Sequence, residues 1–78
     1  MTPSQLEHLK FIDAHCERKL KQAEHIPHYS ESAEAGWKST RSLIDYLLMM
    51  YKHGEGDRYI GLAEDLRAAF PLELIQKP

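Results

Sequence analysis

Hydrophobic positions recur at three- and four-residue spacing over three stretches of this chain, the period of helices buried along one side. In the first stretch Leu6, Leu9, Ile12, Cys16, Leu20 and Ala23 fall into one stripe. Thr2-Pro3-Ser4-Gln5 stands just before it. Threonine at the N-cap, proline at the first helical position and glutamine at N3 make a capping box, in which the hydroxyl takes an orphan backbone N–H. Pro27 disfavours helical geometry at Ile26. The predicted helix therefore covers residues 3–25, roughly 33 Å at 1.5 Å per residue.

The second stretch, residues 32–53, has the widest apolar arc. Drawn at about 100° per residue, Ala33, Trp37, Thr40, Leu43, Ile44, Leu47, Leu48 and Tyr51 share one side, and Glu34, Lys38, Arg41, Asp45 and Lys52 the other. Ser30 or Ser32 is placed to cap this helix, with Glu31 and Glu34 near its positive end. Gly54 suits the left-handed position after its last turn. Gly36 costs up to ~1 kcal/mol against alanine inside a helix. Either the backbone approaches something closely there, or the helix starts later. The short connector from Ile26 to Glu31 turns the two long helices antiparallel.

In the third stretch Asp57 is the expected cap of a helix over residues 58–70. Tyr59, Leu62, Ala63, Leu66, Ala69 and Phe70 form its core face. After Pro71 the segment LELI makes a last short turn, over about 72–76. The predicted fold is all-α: a single domain spanning 1–78, built as a three-helix bundle. Two long antiparallel helices carry a shorter third over their seam, with a short C-terminal helical turn. The widest arc puts helix two at the centre.

Size and composition narrow the function. Seventy-eight residues make one domain with a small core. A hydrophobic share of 42% with 28% charged residues belongs to a folded, soluble chain. No apolar run approaches the ~18 residues of a membrane span. The opening MTPSQLEHLK lacks the basic and apolar regions of a signal peptide. A single cysteine cannot form an internal disulfide, so the expected compartment is the reducing cytoplasm. Net charge is −2. Residues 1–29 carry four basic and four acidic side chains, residues 30–53 three of each, and residues 54–78 three basic and five acidic. No segment has the basic excess that phosphate neutralisation needs.

Candidate chemistry is sparse. Of the five histidines, His8 and His15 lie about 10 Å apart along a helix, too far to chelate one metal. Pro27 separates His25 from His28, and a zinc site with Cys16 or His53 would need the fold to gather them. Cys16 and His15 are neighbours in sequence, but adjacent helical side chains diverge by about 100° and do not form a nucleophile–base pair. Glu55, Asp57, Glu64 and Asp65 occupy polar positions with nothing beside them to raise a pKa. Gly54-Glu55-Gly56 lacks the frame of a phosphate loop. An enzyme, a metal and a cofactor are all unexpected.

Two binding readings remain. The third helix offers Glu64 and Asp65 against only Arg58 and Arg67, which argues against a recognition helix. A mild basic cluster of Arg18, Lys19, Lys21, Lys38 and Arg41, interrupted by Glu17 and Glu24, carries the alternative of a nucleic-acid-binding regulator. The favoured reading rests on surplus apolar residues. Phe11 falls about 140° from the stripe of helix one, Tyr46 and Met50 flank the arc of helix two, and Met49 lies beyond it. Aromatic residues and methionine are enriched at interfaces. The sequence thus reads as a small non-enzymatic protein-binding regulator or inhibitor, of a size and class that fit phage or mobile elements. Its surface would be Tyr46, Met49, Met50 and Phe11, with a homodimer as the commonest way to cover it. The competing expectation is that the LELI segment folds over the Tyr46–Met50 flank and buries it.

Overall fold

The capping box at the N-terminus is complete. The Thr2 hydroxyl accepts the Gln5 N–H at 3.2 Å, and Gln5 Oε1 accepts the Thr2 N–H at 2.9 Å. From there the computed structural model, which describes residues 1–75, is built of helices. Helix α1 is Pro3–Ala23. It ends two residues before the predicted limit, closing with bonds from His25 to Gln22 and from Ile26 to Ala23. Pro27 bars the helical conformation at Ile26, and the last turn tightens to i→i−3 bonding as a result. His28 then reverses the chain at φ 58°.

Helix α2 is Glu31–Lys52, and Ser30 rather than Ser32 caps it, accepting the Ala33 N–H at 3.3 Å. Gly54 takes φ 82° at its far end. The N–H groups of Gly54 and Glu55 bond the carbonyls of Tyr51 and Met50, a Schellman closure that only a residue tolerant of positive φ permits. Neither expectation for Gly36 holds. The helix begins a full turn earlier, and a Cβ added at Gly36 would meet nothing within 4 Å.

Asp57 does not cap a helix. Gly56–Tyr59 is a 3₁₀ turn, helix α3 is Ile60–Ala69, and α4 is Leu72–Ile75. The cause lies at Gly56, which is buried against Tyr51; a Cβ there would come within 2.6 Å of the tyrosine ring. This close approach holds the chain on α2 before α-helical geometry can begin. The Asp57 carboxylate instead meets the Met1 amine at 3.4 Å. The predicted last residue of the C-terminal turn, Gln76, lies outside the described residues.

The buried core consists of Leu9, Ile12 and Cys16 from α1, Ile44 and Leu47 from α2, Ala63 from α3 and Ile75 from α4. Each large aliphatic member contributes about 1.5–3 kcal/mol on removal from water. Helix α1 packs against α2, α3 and α4, so it rather than α2 is the centre of the bundle. Helix α3 buries a narrower stripe than predicted. Ala63 is buried and Tyr59, Leu66 and Phe70 are half-buried, whereas Leu62, at its edge, and Ala69 stay exposed. Tyr51 is likewise exposed at the end of α2.

The C-terminal segment docks on α1 and not over the Tyr46–Met50 flank. Arg18 donates to the Ile75 carbonyl at 3.2 Å, and His8 Nε2 donates to the Phe70 carbonyl at 2.7 Å. Both carbonyls stand at helix ends, where no intrahelical donor reaches them. Among the described residues no helix is long and apolar enough to cross a membrane.

Candidate protein-binding surface

Tyr46 projects from α2 beside the 3₁₀ turn. Its ring meets Tyr59 edge-on, with centroids 5.5 Å apart and planes at 72°, and the two hydroxyls share a hydrogen bond of 3.1 Å. That bond, with a smaller contribution from burial, raises the Tyr46 phenol above its ordinary value. The contact fixes the ring without covering it. Tyr46 remains 41% exposed and Met49, one turn on, 48% exposed. Met50 is half-buried at the rim.

Phe11 lies on the other long helix. It is 37% exposed. It lies on α1 between His8 and Arg18, the two side chains that hold the C-terminal segment. On the same side of α1, His15 packs on Trp37 of α2. The four sequence-predicted residues are thus three on α2 and one on α1.

The surface extends further than the sequence reading placed it. From Tyr46 toward the N-terminus of α2, Ser42, Ser39, Ala35 and Ser32 are all exposed, and none is charged. On the core side of the same helix lies a separate groove of about 240 Å³, lined by Ala33, Gly36, Trp37, Thr40 and Phe70. Trp37 is held by its Nε1 donating to the Tyr29 hydroxyl at 2.9 Å, and it packs on Phe70 and on His15. Burial, followed by the charges of Lys19 and Arg18, pushes the His15 imidazole below its ordinary value and favours the neutral ring. The uncharged band was visible in the sequence as a three–four spacing opposite to the core arc. The groove was not, because Phe70 arrives from a distant part of the chain.

Three of the five basic residues of the alternative reading come together, but among carboxylates. Arg18 is turned onto the Ile75 carbonyl. Lys21 pairs with Glu17 at 3.5 Å, Lys38 with Glu34 at 3.0 Å, and Arg41 bridges to Asp13 of α1 at 3.1 Å. Lys21, Lys38 and Arg41 line one cleft of about 380 Å³, but Glu17, Glu24 and Glu34 line it with them. Lys19 is half-buried. Cations and carboxylates balance there, which leaves little net field for phosphate.

Elsewhere the chemistry is quiet. Among the described residues no three histidines, cysteines or carboxylates converge as a metal would require. His25, His28 and His53 are exposed. Cys16 is fully buried, and burial raises its thiol, which keeps it protonated and poorly nucleophilic. No protein-family model, curated protein or solved structure matches this chain.

Proposed function

We propose that this chain is a small non-enzymatic, cytoplasmic regulator or inhibitor that acts by binding protein through the open face of α2. One observation carries the reading. Tyr46 and Met49 stay exposed side by side on a long helix although α3 and α4 are both docked on α1. An aromatic ring and a thioether at the middle of an uncharged band are the kind of anchor that interfaces use. The Tyr59 contact holds the Tyr46 ring in place beforehand, which lowers the ordering cost of binding. The inert Cys16 thiol and the exposed Glu64 and Asp65 fit a binding role better than catalysis.

The test is affinity capture from native host cells with the wild-type chain and with Tyr46→Glu/Met49→Glu as baits, read by mass spectrometry. The wild type should retain a protein that the variant loses, while the far-ultraviolet circular dichroism of the two remains the same. Equal capture by both baits overturns the reading.

A further inference from the structure

Six exposed residues of α2, Ser32, Ala35, Ser39, Ser42, Tyr46 and Met49, are spaced alternately by three and four along one line. That is the first-and-fourth pattern of a heptad, the seam along which one helix packs on another. None of the six is charged, and the seam is uneven: its N-terminal positions are small and its last two are large.

We propose that the occupant of this face is a second copy of the same chain, with the two α2 helices packed antiparallel about a two-fold axis. The proposal rests on the reading of α2 as the binding surface and names its partner. Antiparallel packing lays the small end of each helix on the large end of the other. Ser32 then faces Met49 of the second copy, Ala35 faces Tyr46, and Ser39 faces Ser42. A parallel pair would stack Tyr46 on Tyr46 and Met49 on Met49 and leave a gap at the serine end, which close packing disfavours.

Charge selects the same orientation. The flanking position of the heptad holds Glu31, Lys38, Asp45 and Lys52, all exposed and alternating in sign. In an antiparallel pair these positions face their own kind across the seam. Glu31 meets Lys52 of the second copy and Lys38 meets Asp45, and symmetry makes each pair twice. In a parallel pair the same residues would face Gly36, Leu43 and Met50, none of them charged. Within the single chain Glu31, Asp45 and Lys52 have no ion pair among the described residues, and Lys38 has only its exposed bond to Glu34. Such rim pairs add little affinity but fix orientation.

Sedimentation velocity over a concentration series should show a species of twice 9.1 kDa that dissociates on dilution. A chain that stays at the monomer mass at its highest soluble concentration overturns the second copy. The Tyr46→Glu/Met49→Glu capture experiment then decides independently whether the face binds a different protein. Orientation is read by oxidative cross-linking, in which buried Cys16 does not take part. Ser32→Cys mixed with Met49→Cys should give the mixed disulfide. Ser32→Cys alone should not cross-link, because the two copies of that position lie roughly 25 Å apart along the antiparallel axis. Cross-linking of Ser32→Cys to itself without the mixed product overturns the orientation. Asp45→Lys should weaken the dimer several-fold, and adding Lys38→Glu should restore it; a double variant as weak as the single one overturns the charge pairing.

Discussion

Helices α1 and α2 differ by one residue in length, 21 against 22, and α2 has the wider apolar arc. Yet α1 is wrapped by three neighbours, and α2 is left with an uncovered side. Apolar content alone does not decide which helix ends up enclosed. The donors decide it here: α1 presents His8 and Arg18 to the carbonyls of Phe70 and Ile75, and so draws the C-terminal segment to itself. The open face of α2 offers short hydroxyls, a thioether and the Tyr46 phenol, which is already paired with Tyr59. The helix with more apolar surface thus keeps a surplus that the chain does not bury.

The sharpest way to break this contrast is to truncate one side chain on each face. Leu9→Ala in α1 should cost about 2–5 kcal/mol by denaturant unfolding, through lost burial and the cavity left behind. Met49→Ala in α2 should change stability by no more than about 0.5 kcal/mol when assayed as a monomer. Equal losses would mean that Met49 belongs to the core.

A smaller, more local effect is expected at the donor. His8→Ala removes the hydrogen bond to Phe70 and should cost about 1–3 kcal/mol if its carbonyl stays shielded from water. Hydrogen exchange should show the loss concentrated in Leu72–Ile75, with α2 unaffected. Uniform loss across both long helices would contradict the separate docking of that segment.

Gly36→Ala runs in the opposite direction. The position is helical and a Cβ there points into open space, so stability should rise by up to ~1 kcal/mol. A decrease in the isolated chain would mean that the groove beside it is occupied.

The smallest effect is that of pH. His15 has a folded pKa lowered from 6.5, so the fold favours its neutral form. Its contribution to stability is complete above the unfolded value and declines as pH falls from about 6.5 through the lowered folded value, because there the unfolded chain binds more protons. His15→Gln should flatten that part of the profile of melting temperature against pH. The half-exposed setting keeps the change small.

Much of this architecture is legible in local patterns. The stripe Leu9, Ile12 and Cys16 and the capping box at Thr2 and Gln5 emerge from spacing alone, because a helix buried on one side has to repeat its apolar residues. What stays hidden depends on residues far apart in sequence. Nothing local to Asp57 announces that Gly56 lies against Tyr51 and delays the helix. A four-residue apolar turn has no periodicity to say which helix receives it, so LELI could not be assigned to α1 before His8 and Arg18 were seen to grip it. The surface at Tyr46 and Met49 was half visible. Their apolar excess could be counted, but the groove at Gly36 follows only from packing.

Cys16 turns the closed side of the molecule into a measuring device. Its sulfur is shut between the long helices with no exposure, and no other thiol competes with it. A thiol-labelling reagent can reach it only during excursions that open the core around it, so the labelling rate relative to an unstructured cysteine reports the free energy of that opening without any introduced probe. Each tenfold slowing corresponds to about 1.4 kcal/mol. Native-state breathing of the core can therefore be followed in the unmodified chain, and any partner that grips α2 should slow it in proportion to the grip.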